Sequence, residues 1–124
     1  MAGSSRSALS PFDLAQINHQ WGSPADDIYR TILGIFAGES VKLCADARAS
    51  LATGQWDVLM RAAHTLAGAS ANVGALHLAA CARALHTAAE AGEKRELEPL
   101  LVQVEAAWRA VCDGIAQGEP SAHG

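Results

Sequence analysis

The sequence predicts an all-α protein: an antiparallel up-down four-helix bundle with a short extra N-terminal helix. Three observations carry this. Half of the 124 residues are hydrophobic while only 5% are aromatic, and many of the apolar residues are alanine, the strongest helix former and small enough for close helix packing. β-Branched residues are sparse. Four stretches repeat apolar residues at spacings of three and four, separated by short breaks containing glycine. Short connections make successive helices antiparallel neighbours. The length suits one domain with a core of its own.

Residues 1–9 are small, serine-rich and unpatterned, and read as a disordered tail or linker. The bundle is expected over residues 10–117. Ser10-Pro11 reads as an N-cap followed by proline at the first helical position, with Asp13 in the first turn. This short helix runs to about Gln20 and stops near Gly22. Ser23-Pro24 repeats the signal and starts a long helix to about Ala52, with a stripe of Ile28, Ile32, Ile35, Phe36, Leu43, Ala47 and Leu51. Gly34 and Gly38 either weaken it locally or permit a close helix contact. The next helix spans about Gln55 to Ala71, with Leu59, Ala63, Leu66, Ser70 and Val73 inward. Another spans about Ala75 to Ala91, with Leu78, Cys81 or Ala82, Leu85 and Ala89 inward and Gly92 as its stop. The last covers about Glu96 to Ala116, with Leu100, Val104, Ala107, Trp108, Val111 and Ile115 inward. Pro99 belongs near a first turn, which argues for a start closer to Glu98. Trp21, Trp56 and Trp108 read as anchors sealing the bundle ends. Residues 118–124 read as a disordered polar tail.

The formal net charge of −4 argues against a nucleic-acid binder, which needs a basic face. No apolar run approaches a membrane span, and no charged-then-apolar leader is legible. Cys44, Cys81 and Cys112 form an odd, widely spaced set with no Cys-x-x-Cys pair. They read as small buried hydrophobes in a reducing compartment, so a cytoplasmic location is expected.

One histidine stands out. His64 lies within a predicted helix, about 100° from Ala63 and 200° from Leu66 at 3.6 residues per turn, and so points away from the apolar stripe. Gly68 follows one turn later on the same face. Glycine within a helix costs about 1 kcal/mol relative to alanine, which suggests that something approaches His64 closely. Met60, Ala67, Gly68 and Ala71 should surround it as a shallow surface of small residues suited to protein docking.

Ala63-His64-x-Leu66-x-Gly68-x-Ser70, followed by Gly74-Ala75-x-x-Leu78, resembles the signature of histidine-containing phosphotransfer domains. Gly54-x-Trp56-x-x-Leu59 resembles the family's approach to its histidine helix, and the likeness covers about residues 25–115. It implies a four-helix bundle in which His64 is the phosphoacceptor, carrying a phosphoryl group between aspartates of receiver domains without kinase activity of its own. It also implies that the protein has no cofactor, and that magnesium belongs to the receiver. A neutral imidazole is nucleophilic at neutral pH, and phosphoryl transfer needs mainly in-line access and charge neutralisation.

Three positions depart from the family pattern. The usual lysine three residues after the histidine is Ala67, and Arg61, one turn before His64, is a candidate substitute. The position twelve after Gly74, often Glu or Gln, is His86, which reads equally as a solvated histidine or as a hydrogen-bonding partner that orients the His64 ring. Four residues on, an often basic position is Glu90.

The expected partners are response-regulator receiver domains. The chain is expected to act as a monomer, free-standing or as part of a hybrid sensor kinase. The alternative is a non-catalytic module that keeps the fold and binds a receiver or other protein without phosphotransfer. A third, weaker reading is a metal-binding bundle using His77, Cys81 and His86. The i,i+4 spacing of His77 and Cys81 can seat a metal, but core packing or surface is the favoured reading of that pair.

Overall fold

The computed structural model describes residues 10–121. They form five helices: α1 (Leu14–Trp21), α2 (Asp27–Thr53), α3 (Trp56–Asn72), α4 (Leu76–Glu90) and α5 (Lys94–Ala116). No strand occurs among the described residues. Two residues join α2 to α3, three join α3 to α4, and three join α4 to α5. Such connections force antiparallel neighbours. Around the bundle, α3 packs on α2 and α4, and α5 packs on α4 and α2. No helix among the described residues is long and apolar enough to cross a membrane.

Both early helices start later than their serine-proline signals suggest. Asp13 is the N-cap of α1, its Oδ1 accepting from the Gln16 N–H at 2.8 Å. Ser10 instead donates to Glu119 Oε1 at 2.8 Å, and Phe12 is buried. Asp26 caps α2 by accepting from the Tyr29 N–H at 2.8 Å, while Ser23 and Pro24 form the preceding turn. At the other end, α5 begins at Lys94, earlier than expected, and carries Pro99 inside it. Pro99 is exposed, so its ring needs no room in the core.

The core face of α2 differs from the expected stripe. Tyr29, Leu33, Phe36, Ser40, Cys44, Ala47 and Ser50 are buried, whereas Ile28 and Ile35 are 66% and 57% exposed. Ser40 and Ser50 tolerate burial because each hydroxyl donates to its own helix, to Ala37 O and Ala47 O at 3.0 Å. A Cβ on Gly34 or Gly38 would meet nothing within 4 Å, so neither glycine serves a close helix contact. On α5, Leu97 and Leu101 are buried beside Val104, Ala107 and Val111, while Leu100, Trp108 and Ile115 are only partly covered. Trp108 is not an end anchor: it donates to Ser40 Oγ at 2.8 Å, midway along α2.

The segment expected as a polar tail begins folded. Pro120 is buried, and its carbonyl accepts from Arg30 at 3.0 Å. Gly114 makes room for this clasp, since a Cβ there would lie 3.3 Å from Pro11 and 3.7 Å from Glu119. The expectations for residues 1–9 and 122–124 lie outside the described residues.

Candidate functional site

The histidine helix is held in place at its C-terminal turn. Three successive carbonyls, from the last residue of α3 onward, accept hydrogen bonds from the first part of the chain. Asn72 O accepts from Trp21 Nε1 at 3.0 Å, Val73 O from Tyr29 Oη at 2.8 Å, and Gly74 O from the Asp13 N–H at 2.9 Å. Gln20 adds a bond to the Asn72 side chain at 2.7 Å. These carbonyls would otherwise be orphaned as the chain turns. Gly74 has a φ of 80°, which non-glycine residues adopt at a cost. A Cβ there would lie 2.5 Å from Ile17 Cγ1. The motif's second glycine is therefore where α1 lies directly against the turn.

Leu59, Ala63, Leu66 and Ser70 of α3 are buried, and His64 is exposed on the opposite side. Its ring faces that of His86 on α4, with centroids 5.3 Å apart and planes tilted by 48°. Together with Asp57, Met60, Arg61 and Glu90 they line one open depression. Leu85, just before His86, and Ala89, three residues after it, are buried. That phase of α4 turns His86 toward α3, where it sits half-buried. Arg61 is exposed and, among the described residues, forms no ion pair.

Gly68 lies one turn beyond His64, exposed, and a Cβ placed on it would meet nothing within 4 Å. Nothing among the described residues requires glycine there. The expected docking surface needs one correction. Met60 lies in the depression, Gly68 is exposed and Ala71 is half-buried, but Ala67 is 6% exposed and belongs to the core. Ala67 is four residues from Ala63 and three from Ser70, so it shares their inward face. A lysine here would reach solvent by running its stem over the surface; a methyl group stays inside.

Two further residues lie on the rim: Asp57, which was not expected at the site, and Glu90, expected only as a departure from the family pattern. Their spacing carried the signal. Asp57 precedes His64 by seven residues, two helical turns, and Glu90 follows His86 by four. The third reading does not assemble. His77 Nε2 is 3.7 Å from Cys81 Sγ, but His86 is nine residues from His77, about 180° around α4, and lies against His64. No group of three or more metal-ligating side chains occurs among the described residues.

Comparison with known proteins agrees with this arrangement. The Hpt domain family model matches residues 31–118. The structure is similar to the crystal structure of histidine-containing phosphotransfer protein B (HptB) from Pseudomonas aeruginosa PAO1. The TM-score is 0.76 with 26% sequence identity, over 89% of this chain and 95% of that one. No significant match was found among curated proteins. With a bundle of this kind and a family match over most of its length, the chain belongs to the Hpt domain family, the histidine phosphotransfer intermediates of two-component phosphorelays.

Proposed function

We propose that His64 is the phosphoryl carrier and that its donors and acceptors are aspartates of receiver domains. The observation that carries this reading is the exposed His64 ring with Gly68 one turn away and open space above that glycine. Such a surface admits the phosphorylated carboxylate of a partner along the line that displacement at phosphorus needs. The ring nitrogen lone pair forms the N–P bond as the P–O bond to the aspartate breaks. Arg61 supplies the cation that the missing lysine does not. His86 restrains the His64 ring. Magnesium resides on the receiver in this reading, and the chain needs no cofactor of its own. The protein works as a cytoplasmic monomer, free-standing or as a domain of a hybrid sensor kinase.

The test is incubation with a panel of phosphorylated receiver domains from the same genome. Acid-labile, alkali-stable phosphate is expected on the wild type and absent from His64→Gln. The second reading, a binding module without transfer, is favoured by one observation: Ala67 is buried and offers no cation beside His64. No label from any receiver, with a receiver still bound, would establish that reading in place of the first.

A further inference from the structure

The depression around His64 carries more negative charge than positive. From α3 come Asp57 and Arg61, and from α4 come His86 and Glu90. Both carboxylates are exposed, and among the described residues neither belongs to an ion pair. Neither therefore anchors the fold through a salt bridge. Lys94, at the start of α5, has its Nζ 5.4 Å from the centre of the Trp56 ring. Ala67 contributes no charge. A phosphoryl group on His64, with close to two negative charges of its own, therefore meets two carboxylates and one guanidinium.

We propose that Asp57 and Glu90 set the direction of transfer, by destabilising phosphorylated His64 relative to the phosphorylated aspartate of the receiver. The inference rests on His64 being the carrier. In the loading step a ring nitrogen of His64 forms the N–P bond, the P–O bond to the aspartate breaks, and the carboxylate keeps the electron pair. The return step reverses this, and nothing is oxidised or reduced. Once the proteins separate, the rim charges act only on the histidine side of the balance. Like-charge repulsion at an exposed site is modest for each pair, but the phosphoryl dianion shares its depression with two carboxylates. The combined bias is about three- to tenfold in the transfer equilibrium constant. It weakens with salt, because these charges are screened.

The experiment measures the distribution of radiolabelled phosphate between this protein and one receiver that charges it, approached from both sides until the ratio is constant. Wild type is compared with Asp57→Asn, Glu90→Gln and the double variant, all exposed near-isosteric changes. The expected result is a three- to tenfold shift toward His64 in the double variant at low salt, smaller at high salt, and a longer half-life of the isolated phosphorylated protein. Forward and reverse rates that change together, leaving the ratio unaltered, would assign the carboxylates to docking and overturn the proposal. So would an unaltered ratio with unaltered rates. Absence of label on the wild type would overturn the carrier reading itself, and this inference with it.

Discussion

Gly68 and Gly74 both belong to the motif around His64, and they are glycine for different reasons. Gly74 answers to the fold: its φ is 80° and Ile17 occupies the space a side chain would need. Gly74→Ala should cost about 2–4 kcal/mol, from backbone strain and overpacking together, read as a lower urea midpoint. Gly68 has no such internal reason. Gly68→Ala should raise helix stability by about 0.5–1 kcal/mol, while Gly68→Gln should slow phosphotransfer severalfold in the same fully folded protein. A loss of stability in Gly68→Ala would show that the position is structural. Arg61 is tested on the same axis. Arg61→Ala should slow transfer with little change in urea midpoint, and an unchanged rate would end its role as the substitute cation.

At the scale of the element, the α3–α4 turn explains why the chain needs a first helix at all. That helix and the start of α2 supply the donors for Asn72, Val73 and Gly74 carbonyls. Tyr29→Phe keeps the ring and removes one donor, leaving a buried carbonyl unpaired. It should cost about 1–2 kcal/mol, with the same phosphotransfer chemistry at saturating receiver. Much of this level was legible from pattern. The inward faces of α3 and α4 follow from their three-four spacing, and the orientation of His64 follows from them. The likeness left His86 equally a solvated histidine or a hydrogen-bonding partner of His64; the structure sets the two rings 5.3 Å apart, and among the described residues no hydrogen bond joins them. The phase of α2 was not legible. Its isoleucines outrank its serines on any hydropathy scale, yet Ser40 and Ser50 are inside because their hydroxyls bond to carbonyls one turn back. Tyr29 is inside because its hydroxyl reaches a carbonyl 44 residues away. Ala67 was misplaced because its closeness to His64 along α3 put it on the docking surface, while its spacing from Ala63 and Ser70 turns it inward.

Across the whole molecule, α2 and α5 close the bundle, and this seam combines polar and apolar contacts. Trp108 bonds Ser40. Arg48 pairs with Glu98 at 2.7 Å and Glu105 at 2.6 Å, and its hydrogen bond holds the Glu105 carboxyl below the usual carboxylate range. Cys44 lies in the buried face of α2. Burial first, then the neighbouring charges of Glu105 and Cys112, push its thiol up to about 12 from 9.0. Burial likewise raises the Tyr29 hydroxyl to about 12 from 10.0, against a smaller opposing effect of Arg30. Both groups are neutral in the fold and ionise earlier in the unfolded chain. Their contribution is therefore complete below the unfolded values and lost as pH rises through the folded ones. With thiols kept reduced, the urea midpoint should hold to about pH 9 and then fall toward pH 12. Cys44→Ala combined with Tyr29→Phe should start from lower stability and show a shallower alkaline fall, because two of the groups that resist ionisation are gone while burial still raises the thiols of Cys81 and Cys112. An equally steep fall in the double variant would place the alkaline weakness elsewhere. His64 lies outside this seam, on the exposed side of α3. The bundle can therefore be weakened at α2 and α5 without altering the surface presented to a receiver. Near neutral pH, Cys44→Ala alone should lose stability while its phosphotransfer rate per folded molecule stays within about twofold of wild type, as expected for sites that share no partner.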